Sequence, residues 1–397
     1  MSVGSAFYPR QQELNRTQAW GDWSGYFAAA VYADFHDIEY NAIREAAGVI
    51  DISPLFKYVV RGPDACALLD RVMTRDISKL RVDQVYYTPW CDEDGKVIDD
   101  GTVTRIAPSA YRITAADPCY RWFGMNATGL EVDVEDVTET LAGLALQGRL
   151  SREILEAATD EDWSGVRYFR RRPSHVAGVD VDVTRTGYTG DRGYELWIES
   201  EQALAVWDRL FEVGGAYGIY PFGIRALDVA RVEAGLILLE AEYTSARHSW
   251  SPELKYSPFE LGLGRLVEFD KAADFVGRRA LLGERGAGGP ARRLVGLELD
   301  WAGIEGMYSR HELAPAVSPL VHRDPVPVYK EGRQVGRATS ICWGPTIKKM
   351  VGFGSVDRSF ERPGTRVSVE WTVEGERGKV GASVVPLPFL DLDRKRT

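Results

Sequence analysis

The amino-acid sequence predicts an α+β fold in more than one domain, and three observations lead there. Short strand patterns with a period of two alternate with amphipathic helical stretches through residue 282. Residues 283–290, Gly-Glu-Arg-Gly-Ala-Gly-Gly-Pro, read as a linker, and beyond them only short strands and turns follow. The chain has 397 residues, more than a single core of roughly 250–300 residues organises.

The first forty residues are rich in aromatics, among them Trp20, Trp23, Tyr26, Phe27, Tyr32 and Phe35. Residues 37–47 read as an amphipathic helix, with Ile38, Ala42 and Ala46 about one turn apart and Gly48 ending it. Residues 49–52 and 56–60 read as strands, and Gly62-Pro63-Asp64 opens a helix over 65–72 with Asp64 as N-cap. Residues 86–91 and 96–106 form a hairpin, because Asp94-Gly95 is a strong hairpin turn. Strand 111–115, helix 119–128 and strand 130–133 complete an α+β unit over 55–136. Residues 137–175 read as polar and helical and end in Arg167, Arg170, Arg171 and Arg172. Strands at 179–185 and 194–198 flank the turn Gly187-Tyr188-Thr189-Gly190-Asp191-Arg192-Gly193, and helices over 201–217 and 224–234 follow. The strand spacing after residue 290 predicts a small terminal β-barrel. There is no internal repeat.

Composition removes several classes. Lys plus Arg is 48 and Asp plus Glu is 58, so the formal charge is 48 − 58 = −10, without the basic footprint that general nucleic-acid binding needs. No apolar run approaches the roughly 20 residues that span a bilayer, and residues 1–15 contain no apolar leader segment. Cys66, Cys91, Cys119 and Cys342 lie far apart and read as reduced thiols. These points predict a cytoplasmic chain with no nucleic-acid or membrane partner. The five histidines are scattered, so no metal centre is expected. Walker, GxGxxG, HExxH and GxSxG signatures are absent.

Three features carry chemistry. In Gly95-Lys96-Val97-Ile98-Asp99-Asp100-Gly101 the two acids fall on opposite faces of a strand, so one must point inward if a face is buried. A buried carboxylate requires a cationic or hydrogen-bonding partner, which a ligand can supply, although an Asp satisfying a turn reads the same way. Glu195 follows the glycine-rich turn, between Tyr194 and Trp197. A carboxylate there can take two parallel hydrogen bonds from a flat N–H/NH2 edge such as an aminopyrimidinone, or be a solvated hairpin residue. Ser340-Ile341-Cys342-Trp343-Gly344-Pro345-Thr346-Ile347-Lys348-Lys349 offers a stacking face and two cations, or a loop Trp over a core edge.

Taken together the motifs resemble the glycine-cleavage T-protein family of tetrahydrofolate-dependent one-carbon transferases. The matching blocks run in order from about Tyr40 to Leu390: Ala47-Gly48-Val49-Ile50-Asp51-Ile52-Ser53, Gly62 to Ala65, Gly95 to Asp100, Arg185 to Leu196, Arg231-Val232-Glu233-Ala234-Gly235, Ser257 to Leu263, Phe275-Val276-Gly277-Arg278 and Ser340 to Lys349. The resemblance implies a three-domain cloverleaf with a central folate channel: residues 1–54 and 137–282 as a discontinuous folate-binding domain, 55–136 inserted, and a C-terminal barrel over 290–397. It implies Asp100 at the reacting folate nitrogens and Glu195 on the pterin amino edge, with Tyr188, Trp343 and Asp99 as further folate contacts.

Three departures bear on the substrate. Leu227 and Ala115 stand where T-proteins carry Arg and Asn, and Pro54-Leu55 replaces a His–Met run. Together with the aromatic additions they predict a pocket of Trp20, Leu55, Tyr87 and Trp90 for a small methyl donor. Relatives with such changes include folate-dependent demethylases, so the resemblance implies a demethylase that moves a methyl group from an O-, N- or S-methylated compound to N5 of tetrahydrofolate. The alternatives are the aminomethyltransferase of glycine cleavage and a non-catalytic folate-binding accessory protein. Arg167, Arg170, Arg171, Arg172, Lys348 and Lys349 are candidates for the folate glutamate tail, or form a solvated basic face.

Overall fold

A computed structural model describes residues 1–397. Its chain is organised by three sheets and an N-terminal hairpin. The first sheet has six strands in the order Arg171–Val176, Val179–Thr184, Gly193–Glu199, Leu141–Gln147, Ala47–Asp51 and Ile219–Pro221. Only the last pair is parallel. One face packs on helices Ser151–Thr159 and Ala203–Gly214 through Leu144, Leu146, Leu196, Ile154 and Trp207. The other face presents Ile50, Ala145 and Trp197 to helices His36–Glu45 and Ile224–Glu233.

The second sheet has the order Val85–Cys91, Val97–Ala107, Ala110–Ala115, Phe56–Arg61 and Asp133–Asp136. Strand alternation sorts its residues. Tyr58, Trp90, Val103, Tyr111, Ile113 and Ala115 build a core with helices Ala65–Val72 and Tyr120–Asn126. Tyr87, Asp100, Thr102, Arg112 and Thr114 belong to the opposite, polar face. The hairpin turn is made by Gly95 at φ +70°, a left-handed conformation that favours glycine, and a Cβ there would meet Leu281 at 2.9 Å. The third sheet is a closed barrel of Arg292–Leu299, Lys349–Asp357, Arg333–Gly344, Val326–Lys330, Arg366–Val373 and Glu376–Val385.

Several expectations are corrected. Residues 137–175 contain the strand Leu141–Gln147, which is buried on both sides of the sheet and therefore lacks the alternation that marks a half-exposed strand. The first half of the linker expected over 283–290 is the end of helix Arg278–Gly286, anchored by buried Leu281, with Gly283 and Gly286 at exposed positions. The strand expected at 130–133 lies at Asp133–Asp136.

Barrel and helix are joined by buried charge. Arg231, on helix Ile224–Glu233, donates to Asp228 at 2.8 Å, Glu242 at 2.7 Å and Ser340 Oγ at 2.6 Å. Ser340 has φ +50° at a register irregularity of its strand, and its hydroxyl reaches both Arg231 and Glu242. Removing one partner of such a network leaves buried charge uncompensated, which costs about 3–5 kcal/mol. Arg231→Met is therefore expected to lower the thermal midpoint strongly. Arg61→Met, which breaks the half-exposed pair with Glu135, should change stability by less than about 1 kcal/mol. Parallel thermal melts followed by circular dichroism check both.

Candidate active site

Asp100 lies on the polar face of the second sheet. Tyr87, in the neighbouring strand, donates its hydroxyl to Asp100 Oδ2 at 2.5 Å, and Tyr243 donates to Oδ1. Burial pushes the Asp100 carboxyl above the usual carboxylate range, opposed by these two hydrogen bonds, which favour the ionised form. Both phenol groups are in turn raised well above their ordinary value by burial and by the Asp100 charge, so they stay protonated donors. Tyr188 donates its hydroxyl to the Ile237 carbonyl, within electrostatic reach of Asp100 and Tyr87.

Glu195 lies on the inner face of the first sheet, two residues before Trp197 and so on the same side. Thr186 Oγ1 donates to its Oε2 at 2.7 Å, and Thr184 Oγ1 approaches the same oxygen at 3.5 Å. Oε1 receives no hydrogen bond from the protein. Burial raises the Glu195 carboxyl, while the Thr186 hydrogen bond and the Arg112 charge oppose the rise. Glu195 and Asp100 are each surrounded by protein yet remain partly accessible. Arg112 connects the two faces: its Cζ lies 4.8 Å from the Trp197 ring centroid, and its Nη1 pairs with Asp182 of the first sheet.

The other predicted positions divide. Tyr87 and Tyr188 lie with Asp100. Asp99 points to the opposite face and is fully buried, its oxygens accepting the backbone N–H groups of Asp100 (2.7 Å), Ala116 (2.9 Å) and Asp117 (2.9 Å). It pins the strand end instead of meeting a ligand. Trp90 pairs with Asp99 across the strands and is a core residue, with its ring centroid 6.0 Å from that of Phe123. Trp20 packs on Tyr8 and Phe27 in the N-terminal hairpin. Trp343 stands edge-on to Trp301 of the barrel region. The motif around it acts as a lock: the Thr346 hydroxyl is 2.6 Å from that of Tyr40, and the Thr346 N–H donates to Glu233 at 3.1 Å. Leu55 joins Leu227, Trp23 and Trp197 in one apolar cluster.

Among the basic candidates, Arg167 and Arg170 line a cleft of about 700 Å³ with Lys79, Arg81 and Arg105. Arg171 pairs with Asp83 and Asp182, Arg172 with Glu161, and Lys349 with Glu298. Sequence reasoning missed Tyr243, Thr186 and Arg112. Tyr243 sits outside any strand or helix, so no periodicity marks it.

Known proteins extend this picture. Residues 10–271 match the GCVT N-terminal domain and residues 310–391 the glycine cleavage T-protein C-terminal barrel domain. An aminomethyltransferase of Caldanaerobacter subterraneus subsp. tengcongensis is 34% identical over 83% of this chain and 82% of its own. A trimethylamine-oxide aldolase of Ruegeria pomeroyi is 34% identical over 96% of this chain but only 46% of its own. The crystal structure of the Bartonella henselae glycine cleavage aminomethyltransferase superposes with a TM-score of 0.81 over 98% of this chain and 99% of that one, at 24% identity, and shares the fold. No helix here is long and apolar enough to cross a membrane. With the mixed helix-and-sheet body, the closed barrel and both domain matches in place, the chain belongs to the glycine cleavage T-protein family of one-carbon transferases and is an enzyme of that family.

Proposed function

We propose that the enzyme transfers a one-carbon unit to tetrahydrofolate, with Glu195 holding the pterin amino edge and Asp100 facing the reacting amine. The observation that carries this reading is the pair of desolvated carboxylates on facing sheets. Glu195 keeps a free oxygen, and Asp100 is aimed by two phenol donors. These residues fit the group: Glu195 offers two acceptor oxygens to a flat N–H/NH2 edge. Bound tetrahydrofolate supplies the secondary amine that accepts the carbon. Asp100 takes up the proton released at that amine, and its raised proton affinity makes it a better base than an exposed carboxylate. Tyr87 and Tyr243 fix its orientation, and the surrounding protein limits access of water.

The relatives favour aminomethyl transfer, in which the carbon arrives bearing nitrogen and ammonia is released. Demethylation of a small methylated compound is the second reading. It is favoured by Leu227, which joins Leu55 in an apolar cluster where the resemblance implies Arg, and by the match of 96% of this chain to 46% of the trimethylamine-oxide aldolase. One experiment separates them. The protein is incubated with tetrahydrofolate and either glycine plus the other glycine-cleavage proteins, or a panel of methylamines, betaines, sulfonium compounds and methoxyaromatics. Ammonia and methylene-folate in the first arm support aminomethyl transfer, and methyl-folate in the second supports demethylation. Transfer in neither arm contradicts the transferase reading.

A further inference from the structure

Arg112 is only 4% exposed, and two of its guanidinium nitrogens, Nε and Nη2, have no acceptor in the protein. Nη1 alone is engaged, on Asp182, which is also served by Arg171. Buried donors are rarely left unmet, because each forfeits its hydration without replacement. The fork lies over Trp197, whose indole N–H donates to Thr184 Oγ1 at 3.3 Å, and Thr184 in turn approaches Glu195. Unmet donors thus stand beside the carboxylate whose Oε1 is an unmet acceptor.

An aminopyrimidinone edge presents the complement of this arrangement: a ring N–H and an exocyclic NH2 that donate, and next to them a carbonyl oxygen that accepts. We propose that Arg112 is a second pterin-edge residue, its free N–H groups donating to the carbonyl oxygen adjacent to the edge held by Glu195. This inference rests on the folate reading above and adds a specificity to it. The site selects a 4-oxo pterin over a 4-amino one, because an amino group there would set donor against donor.

The test uses folic acid and aminopterin, in which an amino group replaces the 4-carbonyl and the adjacent ring nitrogen loses its N–H, as competitors of 5-formyltetrahydrofolate bound to the full chain. The lost N–H alters the Glu195 contact alike in wild type and variants, so the change in preference on substitution reports Arg112. The wild type should prefer folic acid. Arg112→Leu should reduce that preference at least tenfold, and Arg112→Lys, which keeps the charge but loses the fork, should fall between. Thermal melts establish that each variant is folded, and Arg112→Lys carries the test if the leucine variant is not. An unchanged preference in the folded variants overturns the inference. That includes the case where both ligands weaken equally, the pattern of a charge acting only through Glu195. Failure of the wild type to bind 5-formyltetrahydrofolate at all overturns the folate reading itself.

Discussion

Asp100→Asn is expected to lower kcat by about 10²–10⁴-fold, the usual contribution of a positioned proton acceptor, while leaving the affinity for 5-formyltetrahydrofolate within a few fold of wild type. The amide keeps the size of the side chain and can still accept from one of the two phenols, Tyr87 or Tyr243, but cannot take a proton. The pH dependence gives a second readout. Burial raises the Asp100 carboxyl. If its ionised form is the active one, kcat rises with pH through a limb lying above the ordinary carboxylate range, and the variant lacks that limb. Stability moves the other way. A carboxyl whose folded-state pKa exceeds its unfolded value contributes stability that is full below the unfolded pKa and lost as pH rises through the folded one. The wild type should therefore lose stability over that window, and Asp100→Asn should lose less, as thermal melts across pH will show. Unimpaired turnover in the asparagine variant would remove Asp100 from the chemistry.

Glu195→Gln is expected to weaken 5-formyltetrahydrofolate binding by about 10–150-fold. This corresponds to about 1.5–3 kcal/mol for a hydrogen bond to a charged group. The glutamine turns one of the two acceptors into a donor and so opposes the edge it should grip. Glu195 is itself raised by burial, so neutralising it relieves a desolvation cost, and the variant should remain folded at neutral pH. Titration calorimetry with a parallel melt separates lost binding from lost structure. Thr186→Val, which removes the 2.7 Å hydrogen bond to Oε2, should give a smaller loss of the same sign.

Much of the site was legible because strand alternation makes a firm demand. Of two successive acids on one strand, one must face each way, and the structure gives Asp100 to the polar face and Asp99 to backbone N–H groups. The same rule separates Tyr87 from Trp90, three residues apart and hence on opposite faces. Aromatic character alone places Trp90 in the pocket, whereas its position across from Asp99 places it in the core. For Trp20 composition alone says nothing of direction, and the ring packs on Tyr8 and Phe27. Arg112 was not legible: it is one alternating position on a short strand, and its significance comes from Trp197 and Asp182 on a different sheet. The barrel was foreseen from strand spacing, whereas Leu141–Gln147 was hidden by burial of both faces.

The central claim is that one pterin occupies the space between Asp100 and Glu195. A crystal structure of the protein with 5-formyltetrahydrofolate tests it most directly. The account predicts the pterin amino edge on the Glu195 carboxylate and the opposite side of the ring system turned toward Asp100. A folate bound elsewhere, with Glu195 still holding only Thr186 and Thr184, would contradict it.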